Sequence, residues 1–95
     1  SNIDQSLLFV TLKSPKTSLG FIDRFLIACE SFHIPATIVF NKADIYREKE
    51  IQQYERYREI YTDIGYDVLL TSVEKGEGLE EVRKKLVGKK SLLGG

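Results

Sequence analysis

The stretch "IVFNKADIYR", residues 38–47, determines how the chain folds, because an apolar run passes directly into a polar turn. Residues 36–40 are short, apolar and rich in strand formers, which predicts a strand buried on both faces. The turn that follows it consists of Asn41, Lys42, Ala43 and Asp44. This turn has two interpretations: a plain loop in which Asp44 caps the next helix, or a pocket that holds one particular base.

Outward from this stretch, short apolar runs alternate with segments of helical periodicity. The runs predict four strands, at residues 7–12, 36–40, 67–71 and 91–93. The periodic segments predict three helices, one beginning near Thr17 or Ser18, one at residues 47–64 and one at residues 79–87. The order β-α-β-α-β-α-β predicts an α/β fold, a three-layer α/β/α arrangement around a mainly parallel sheet.

In the first two predicted helices, apolar residues are spaced so that each helix has one buried stripe. In the first helix the stripe comprises Phe21, Ile22, Phe25, Leu26, Cys29 and Phe32. In the second helix it comprises Ile51, Tyr54, Tyr61 and Ile64. Gly88 is expected to end the last helix and not to belong to a phosphate loop, because Arg83 stands where such a loop needs its first glycine.

The predicted sheet brings separate polar segments to one edge. In a parallel sheet the carboxyl ends of all strands lie at the same edge, and ligands bind there. The turn at residues 41–44 and the residues that follow the third strand are therefore expected to be neighbours. The second group consists of Thr71, Ser72 and Val73.

A guanine ring at this edge would meet complementary groups. Its adjacent N1–H and N2–H₂ donors match the carboxylate of Asp44, and Asn41 can donate to N7 while its oxygen holds the turn. The stem of Lys42 can cover the ring, the backbone N–H of Val73 can donate to O6, and Ser72 can help close the pocket. Adenine would leave buried polar groups unpaired, which suffices for discrimination on the order of 10⁴.

The composition is that of an ordinary globular domain and excludes few functions. Lys plus Arg and Asp plus Glu both number 14, so no bulk attraction to nucleic acid or to an anionic membrane is expected. No apolar run approaches the roughly 20 residues of a membrane span. The single Cys29 cannot form an internal disulfide, and no signal-peptide pattern opens the sequence, so a cytoplasmic protein is expected.

Several segments resemble one family of GTPases. The turn at residues 41–44 resembles the guanine-specificity motif of P-loop GTPases, and residues 71–73 resemble their second base-contacting loop. Four longer segments resemble the ribosome small subunit-dependent GTPase A family (RsgA/YjeQ): "SNIDQSLLFVTLKSPKTSLGFIDRFLIACE", "IPATIVFNKADI", "YTDIGYDVLLTSVEKGEGLEEV" and "KKSLL". Val73 and Glu74 replace the Ala and Lys that are common in the second loop, so a base contact from the side chain at position 74 has no support.

The resemblance implies a circularly permuted P-loop GTPase, in which the base-recognition turns precede the phosphate loop. Residues 1–95 are then expected to be part of its Rossmann-like GTPase domain, without the phosphate loop. The resemblance implies that the ligand is GTP or GDP with Mg²⁺, at a site that is incomplete here. It implies that seven residues of this chain contact the nucleotide. These residues are Asn41, Lys42, Ala43, Asp44, Thr71, Ser72 and Val73. No catalytic residue and no metal ligand are expected among residues 1–95.

For the parent protein, the resemblance implies hydrolysis of GTP to GDP and phosphate and a role in late maturation of the small ribosomal subunit and its rRNA. It further implies zinc in a C-terminal domain. A cytoplasmic monomer without membrane contact is also expected. Two alternatives remain: a non-catalytic α/β interaction module in which Asn-Lys-x-Asp is only a structural turn, or the C-terminal half of an ordinary GTPase.

Overall fold

The computed structural model describes residues 2–95 and has the predicted order of elements. The strands are β1 (Gln5–Val10), β2 (Ala36–Phe40), β3 (Asp67–Leu70) and β4 (Ser91–Gly94). The helices are α1 (Leu19–Ser31), α2 (Glu48–Asp63) and α3 (Leu79–Leu86), and a single 3₁₀ turn (Ala43–Ile45) lies between β2 and α2.

The four strands form one sheet in the order β3-β2-β1-β4, and every pair is parallel. The predicted α/β fold is therefore confirmed. Right-handed crossovers place α1 and α2 on one face, because both connections step in the same direction, and α3 on the other face, because its connection steps back. The side-chain amide of Gln5 donates to the backbone carbonyl of Lys85 at 2.6 Å, which fixes α3 against that second face.

Side chains of the strands alternate between the two faces, and those of the central strands β1 and β2 are largely buried on both faces. On the face of α1 and α2, the core consists of Leu8, Val10, Ile38, Phe40 and Val68 with Ile22, Leu26, Tyr54 and Tyr61. On the face of α3, Leu7 and Val39 are fully buried. Burial on both faces explains why β1 and β2 appear in the sequence as continuous apolar runs, whereas Leu92 and Leu93 of the edge strand β4 are exposed.

The predicted stripe of α1 is correct at Ile22, Leu26 and Cys29 but wrong at Phe21, which is exposed, and at Phe32, whose side chain is 71% exposed. The helix ends at Ser31, and the chain then turns through His33 at a positive φ of 56°. Phe32 therefore lies outside the helical register that the spacing argument assumed.

The predicted stripe of α2 is also wrong in part. Tyr54 and Tyr61 are buried as expected, but Ile64 is 66% exposed and Ile51 is exposed as well. The buried face of α2 instead continues to Glu50, whose carboxylate accepts a hydrogen bond from the backbone N–H of Arg47 at 2.8 Å. A polar side chain that caps its own helix cannot be recognised from hydrophobic spacing.

The bounds of the first strand differ from the prediction by two residues, since the structure has Gln5–Val10 where residues 7–12 were expected. Pairing with β4 begins already at Gln5. At the other end, the backbone N–H of Leu12 bonds to the hydroxyl of Tyr46 and not to β2. Gly88 follows α3 with φ of 72°, which agrees with its predicted role as a helix stop.

Candidate nucleotide-binding site

The polar turns that follow β2 and β3 lie in direct contact at the carboxyl edge of the sheet. The hydroxyl of Ser72 donates to Oδ1 of Asp44 at 2.7 Å. The backbone N–H of Ala43 donates to the carbonyl of Thr71 at 3.0 Å. These two bonds join the turns because β2 and β3 are adjacent strands in parallel register.

Asn41 is held through both its backbone and its side chain. Its backbone N–H donates to the carbonyl of Val10 at 2.8 Å, and its Oδ1 accepts from the hydroxyl of Thr71 at 3.0 Å. Thr71 is buried, and its contact with Asn41 is partly buried. With the oxygen engaged in this way, the amide Nδ2 of Asn41 remains available as a donor toward the edge of the sheet.

The carboxylate of Asp44 is oriented on one side and free on the other. Its Oδ1 accepts from Ser72, a fully buried residue whose own oxygen accepts from the backbone N–H of Lys75 at 3.1 Å. Within residues 2–95, no donor bonds to Oδ2 of Asp44, and the side chain is exposed. The second oxygen is therefore available to a ligand while the first one keeps the group in place.

Lys42 adopts the left-handed backbone conformation, with φ of 64°, and turns the chain sharply between Asn41 and Asp44. Its ammonium group donates to the carbonyl of Ser14 at 2.8 Å. The side chain therefore crosses from the turn after β2 to the loop after β1. In this position its stem forms one wall of an open cavity of about 390 Å³, lined by Asn41, Lys42, Asp44, Ile45, Val73 and Glu74.

The turn after β3 is closed by its own backbone. Ser72 and Glu77 exchange two backbone hydrogen bonds, of 2.9 and 3.0 Å. Gly78 follows with φ of 72°, and a Cβ atom there would lie only 2.2 Å from the carbonyl oxygen of Leu70, so no larger residue fits. Val73 is left 68% exposed, and its backbone N–H has no acceptor within residues 2–95.

The structure thus brings together all seven residues proposed from the sequence, and it adds others that the sequence did not indicate. Tyr46, Glu77 and Ser14 hold the two turns and the loop after β1 through hydrogen bonds. The glycine pair at 76 and 78 before an apolar helix pattern is a recognisable signal for a tight turn. Tyr46 carries no such signal, because one aromatic residue after a turn fits many structures.

The described residues contain no group of three or more His, Cys, Asp or Glu side chains that could hold a metal ion. No helix among residues 2–95 is long and apolar enough to cross a membrane.

Comparisons with known proteins agree on one family. The family model described as RsgA GTPase matches residues 1–95. The small ribosomal subunit biogenesis GTPase RsgA of Cytophaga hutchinsonii is 55% identical over 94 residues, which are 99% of this chain and 31% of that protein. RsgA 2 of Bacteroides thetaiotaomicron is 41% identical over 95 residues, with the same 31% coverage of the relative.

Two solved structures share the fold. The crystal structure of YjeQ from Thermotoga maritima matches with a TM-score of 0.94 and 38% identity, over 99% of this chain and 34% of that one. YloQ, described as a circularly permuted GTPase, matches with a TM-score of 0.85 and 32% identity, over 97% of this chain and 32% of that one. The chain spans about a third of the length of these proteins, and it belongs to the RsgA GTPase family.

Proposed function

We propose that this chain is the guanine-recognition part of a GTPase. The observation that carries the proposal is the 2.7 Å hydrogen bond from Ser72 to Asp44, which joins the two polar turns and leaves the second carboxylate oxygen free beside the cavity. In this arrangement Asp44 accepts from N1–H and N2–H₂ of guanine, Asn41 donates to N7, and the backbone N–H of Val73 donates to O6. Lys42 covers the ring with its aliphatic stem.

The expected selectivity follows from unpaired groups. A hydrogen bond to a charged group contributes about 1.5–3 kcal/mol. Adenine presents an acceptor at N1 and lacks the N2 amine, so Asp44 would face a lone pair. It also presents an amine where the N–H of Val73 needs an acceptor. Two such mismatches correspond to discrimination on the order of 10⁴.

We also propose that the residues belong to a circularly permuted GTPase domain, in which the base-recognition turns precede the phosphate loop. The similarity to YloQ, itself a circularly permuted GTPase, and the resemblance of the four longer segments support this interpretation. The longer protein hydrolyses GTP to GDP and phosphate and assists late maturation of the small ribosomal subunit, in contact with its rRNA. The names of the relatives support the GTPase activity and the ribosomal role.

For that longer protein we propose a cytoplasmic monomer that uses Mg²⁺ with GTP and carries zinc in a further domain. Phosphoryl transfer requires a phosphate cradle and a cation, and the described residues form no metal-binding cluster. The contribution that we propose for these residues is to bind and orient the base. The 95-residue chain alone is expected to bind GTP very weakly and to hydrolyse none.

Competition binding in the full-length protein tests the proposal. A fluorescent GDP analogue is displaced with GDP and with ADP, in the native protein, in Asp44→Ala and in the control Asp63→Ala. Asp63 is an exposed carboxylate at the end of α2 and has no contact with the turns. The native protein and the control are expected to prefer GDP by roughly 10⁴-fold. Asp44→Ala is expected to lose roughly 10²-fold in GDP affinity.

Two results would contradict the proposal. Equal affinity of the native protein for GDP and ADP would exclude base recognition at this edge. Unchanged GDP preference in Asp44→Ala would favour the alternative in which Asn-Lys-x-Asp is only a structural turn of an interaction module.

A further inference from the structure

Tyr46 lies just outside the proposed base contacts, and its ring is buried in the core. It follows the 3₁₀ turn directly, and its backbone N–H bonds to the carbonyl of Ala43 at 3.1 Å. The ring is 9% exposed and packs beneath the turn, so its hydroxyl points back toward the ends of β1 and β2.

The hydroxyl of Tyr46 takes the position of a missing rung in the sheet. The last rung between β1 and β2 joins the N–H of Asn41 to the carbonyl of Val10 at 2.8 Å. In a parallel pair the next rung would join the N–H of Leu12 to the carbonyl of Asn41. Instead, the hydroxyl accepts from Leu12 at 3.0 Å and donates to Asn41 at 2.6 Å. The Tyr46 oxygen therefore lies between the ends of β1 and β2 and forms a hydrogen bond with the backbone of each.

This contact reaches two parts of the candidate site. On one side it fixes the carbonyl of Asn41, immediately before Lys42 turns the chain in the left-handed conformation. On the other side it fixes Leu12, at the start of the loop that supplies the carbonyl of Ser14 to the ammonium of Lys42.

The loop after β1 is itself a closed unit. The N–H of Thr17 donates to the carbonyl of Thr11 at 2.8 Å, and the N–H of Thr11 donates to the hydroxyl of Thr17 at 3.1 Å. Tyr46 and Lys42 both attach this closed loop to the turn after β2, so the loop and Asn41 are linked through two separate contacts.

We propose that Tyr46 is a positioning residue for base recognition, whose hydroxyl sets the orientation of the Asn41 amide and the Asp44 carboxylate. This inference rests on the proposed function. Tyr46 touches no part of the base itself: it acts through the carbonyl of Asn41 and through the loop after β1.

The test compares Tyr46→Phe with Tyr61→Phe in the full-length protein. Both variants keep a buried ring and lose one hydroxyl, but the hydroxyl of Tyr61 donates to Asp23 at 3.0 Å, between α1 and α2 and away from the turns. Dissociation constants are measured for GDP and for inosine diphosphate, which lacks the N2 amine. The ratio of the two constants reports on how well Asp44 meets both donors of guanine, and a general loss of stability does not change it.

We expect Tyr46→Phe to weaken GDP binding roughly 5- to 10-fold, because the Asn41 carbonyl and the Leu12 amide both lose their hydroxyl partner. Inosine diphosphate should lose less, so its disadvantage relative to GDP falls by roughly 3-fold. Tyr61→Phe should leave the ratio unchanged. A native protein that does not prefer GDP over inosine diphosphate or ADP would refute the proposed function. A native preference that is retained in full by Tyr46→Phe would refute only the positioning role.

A measurement on the native protein covers the case in which Tyr46→Phe fails to fold. Hydrogen exchange of the Leu12 amide, whose acceptor is the Tyr46 hydroxyl, is followed with and without GDP. Because binding and positioning are reciprocal, GDP should slow this exchange at least several-fold. The amide of Ile22, in the first turn of α1, serves as a reference. Exchange at Leu12 that GDP leaves unchanged would overturn the proposal.

Discussion

Two fully buried serines differ in what their hydroxyls do. The hydroxyl of Ser72 donates to Asp44 and accepts from the N–H of Lys75, so its hydrogen-bonding capacity is used inside the candidate site. The hydroxyl of Ser6, in β1, is buried and has no partner within residues 2–95. A buried polar group without a partner costs about 1–3 kcal/mol. The Ser72 hydroxyl therefore has a structural role in the candidate site, whereas the unpaired Ser6 hydroxyl destabilises the core.

Ser6→Ala is expected to stabilise the fold, because it removes an unpaired hydroxyl and leaves only a small void. We expect a gain of about 0.5–1 kcal/mol, seen as slower hydrogen exchange of the Leu7 and Leu8 amides in β1. Ser72→Ala is the contrasting variant and should speed exchange in the turn after β3. Faster exchange in β1 for Ser6→Ala would mean that its hydroxyl has a partner that stabilises the native state.

At the residue scale, the sequence identifies the members of the site better than their contacts. Asn41, Asp44 and Ser72 could be predicted as neighbours because each lies in a turn that follows a strand, and these strands end at the same edge. That Lys42 bonds to Ser14 could not be predicted, because this contact depends on a backbone carbonyl in a loop. The same holds for Tyr46, whose partners are both backbone groups.

At the scale of elements, α2 is held to the sheet by aromatic rings. Tyr54 packs edge-on against Phe40, with ring centroids 5.3 Å apart, and Tyr57 stacks on Phe40 at 6.0 Å. Tyr61 links α2 to α1 through its bond to Asp23. This helix begins four residues after Asp44, so its packing on the sheet supports the turn that precedes it.

The tyrosines of α2 make stability depend on pH at the alkaline end. Burial, and then the hydrogen bond to Asp23, raises the pKa of Tyr61 well above its ordinary value, and burial also raises the pKa of Tyr54. Since the folded state holds these protons more tightly than the unfolded chain, their contribution is complete below about pH 10 and is lost as the pH rises further.

We therefore expect the thermal midpoint to fall steeply above about pH 10, together with the appearance of tyrosinate absorbance. Tyr61→Phe should show a shallower decline over the same range, because it lacks one of the phenols whose pKa is raised by burial. A native protein in which all tyrosines ionise at the ordinary pKa, without loss of structure, would contradict this packing.

Strands and helices could be predicted where hydrophobic patterning or a helix cap gave a clear indication in the sequence. All four strands and three helices were located, most clearly β1 and β2, which are buried on both faces and appear as apolar runs, and α1, which Ser18 caps. The errors at Phe32 and Ile64 arose at helix ends, where the chain leaves the helical periodicity on which the prediction depends.

At the scale of the whole molecule, the strand order decides whether a site exists. In the order β3-β2-β1-β4, β2 lies next to β3, so the turns after these two strands meet. β2 also lies next to β1, so the loop after β1 reaches Lys42. The sequence predicted parallel strands but not this order, because the connection through α3 could place β4 at either edge. The chain crosses the sheet through α3 to the far edge because of contacts between residues that are distant in sequence, and local sequence patterns do not reveal such contacts.

Base recognition by Asp44 can be tested by changing the base preference of the full-length protein. In Asp44→Asn, the amide of the new side chain donates where the carboxylate accepted, which suits xanthine because its C2 carries an oxygen in place of the guanine amine. Affinities for GDP and xanthosine diphosphate are measured in the native protein, in Asp44→Asn and in the control Asp63→Asn. We predict that only Asp44→Asn prefers xanthosine diphosphate, by at least about 10-fold. An Asp44→Asn protein that still prefers GDP as strongly as the native one would contradict recognition of guanine by this carboxylate.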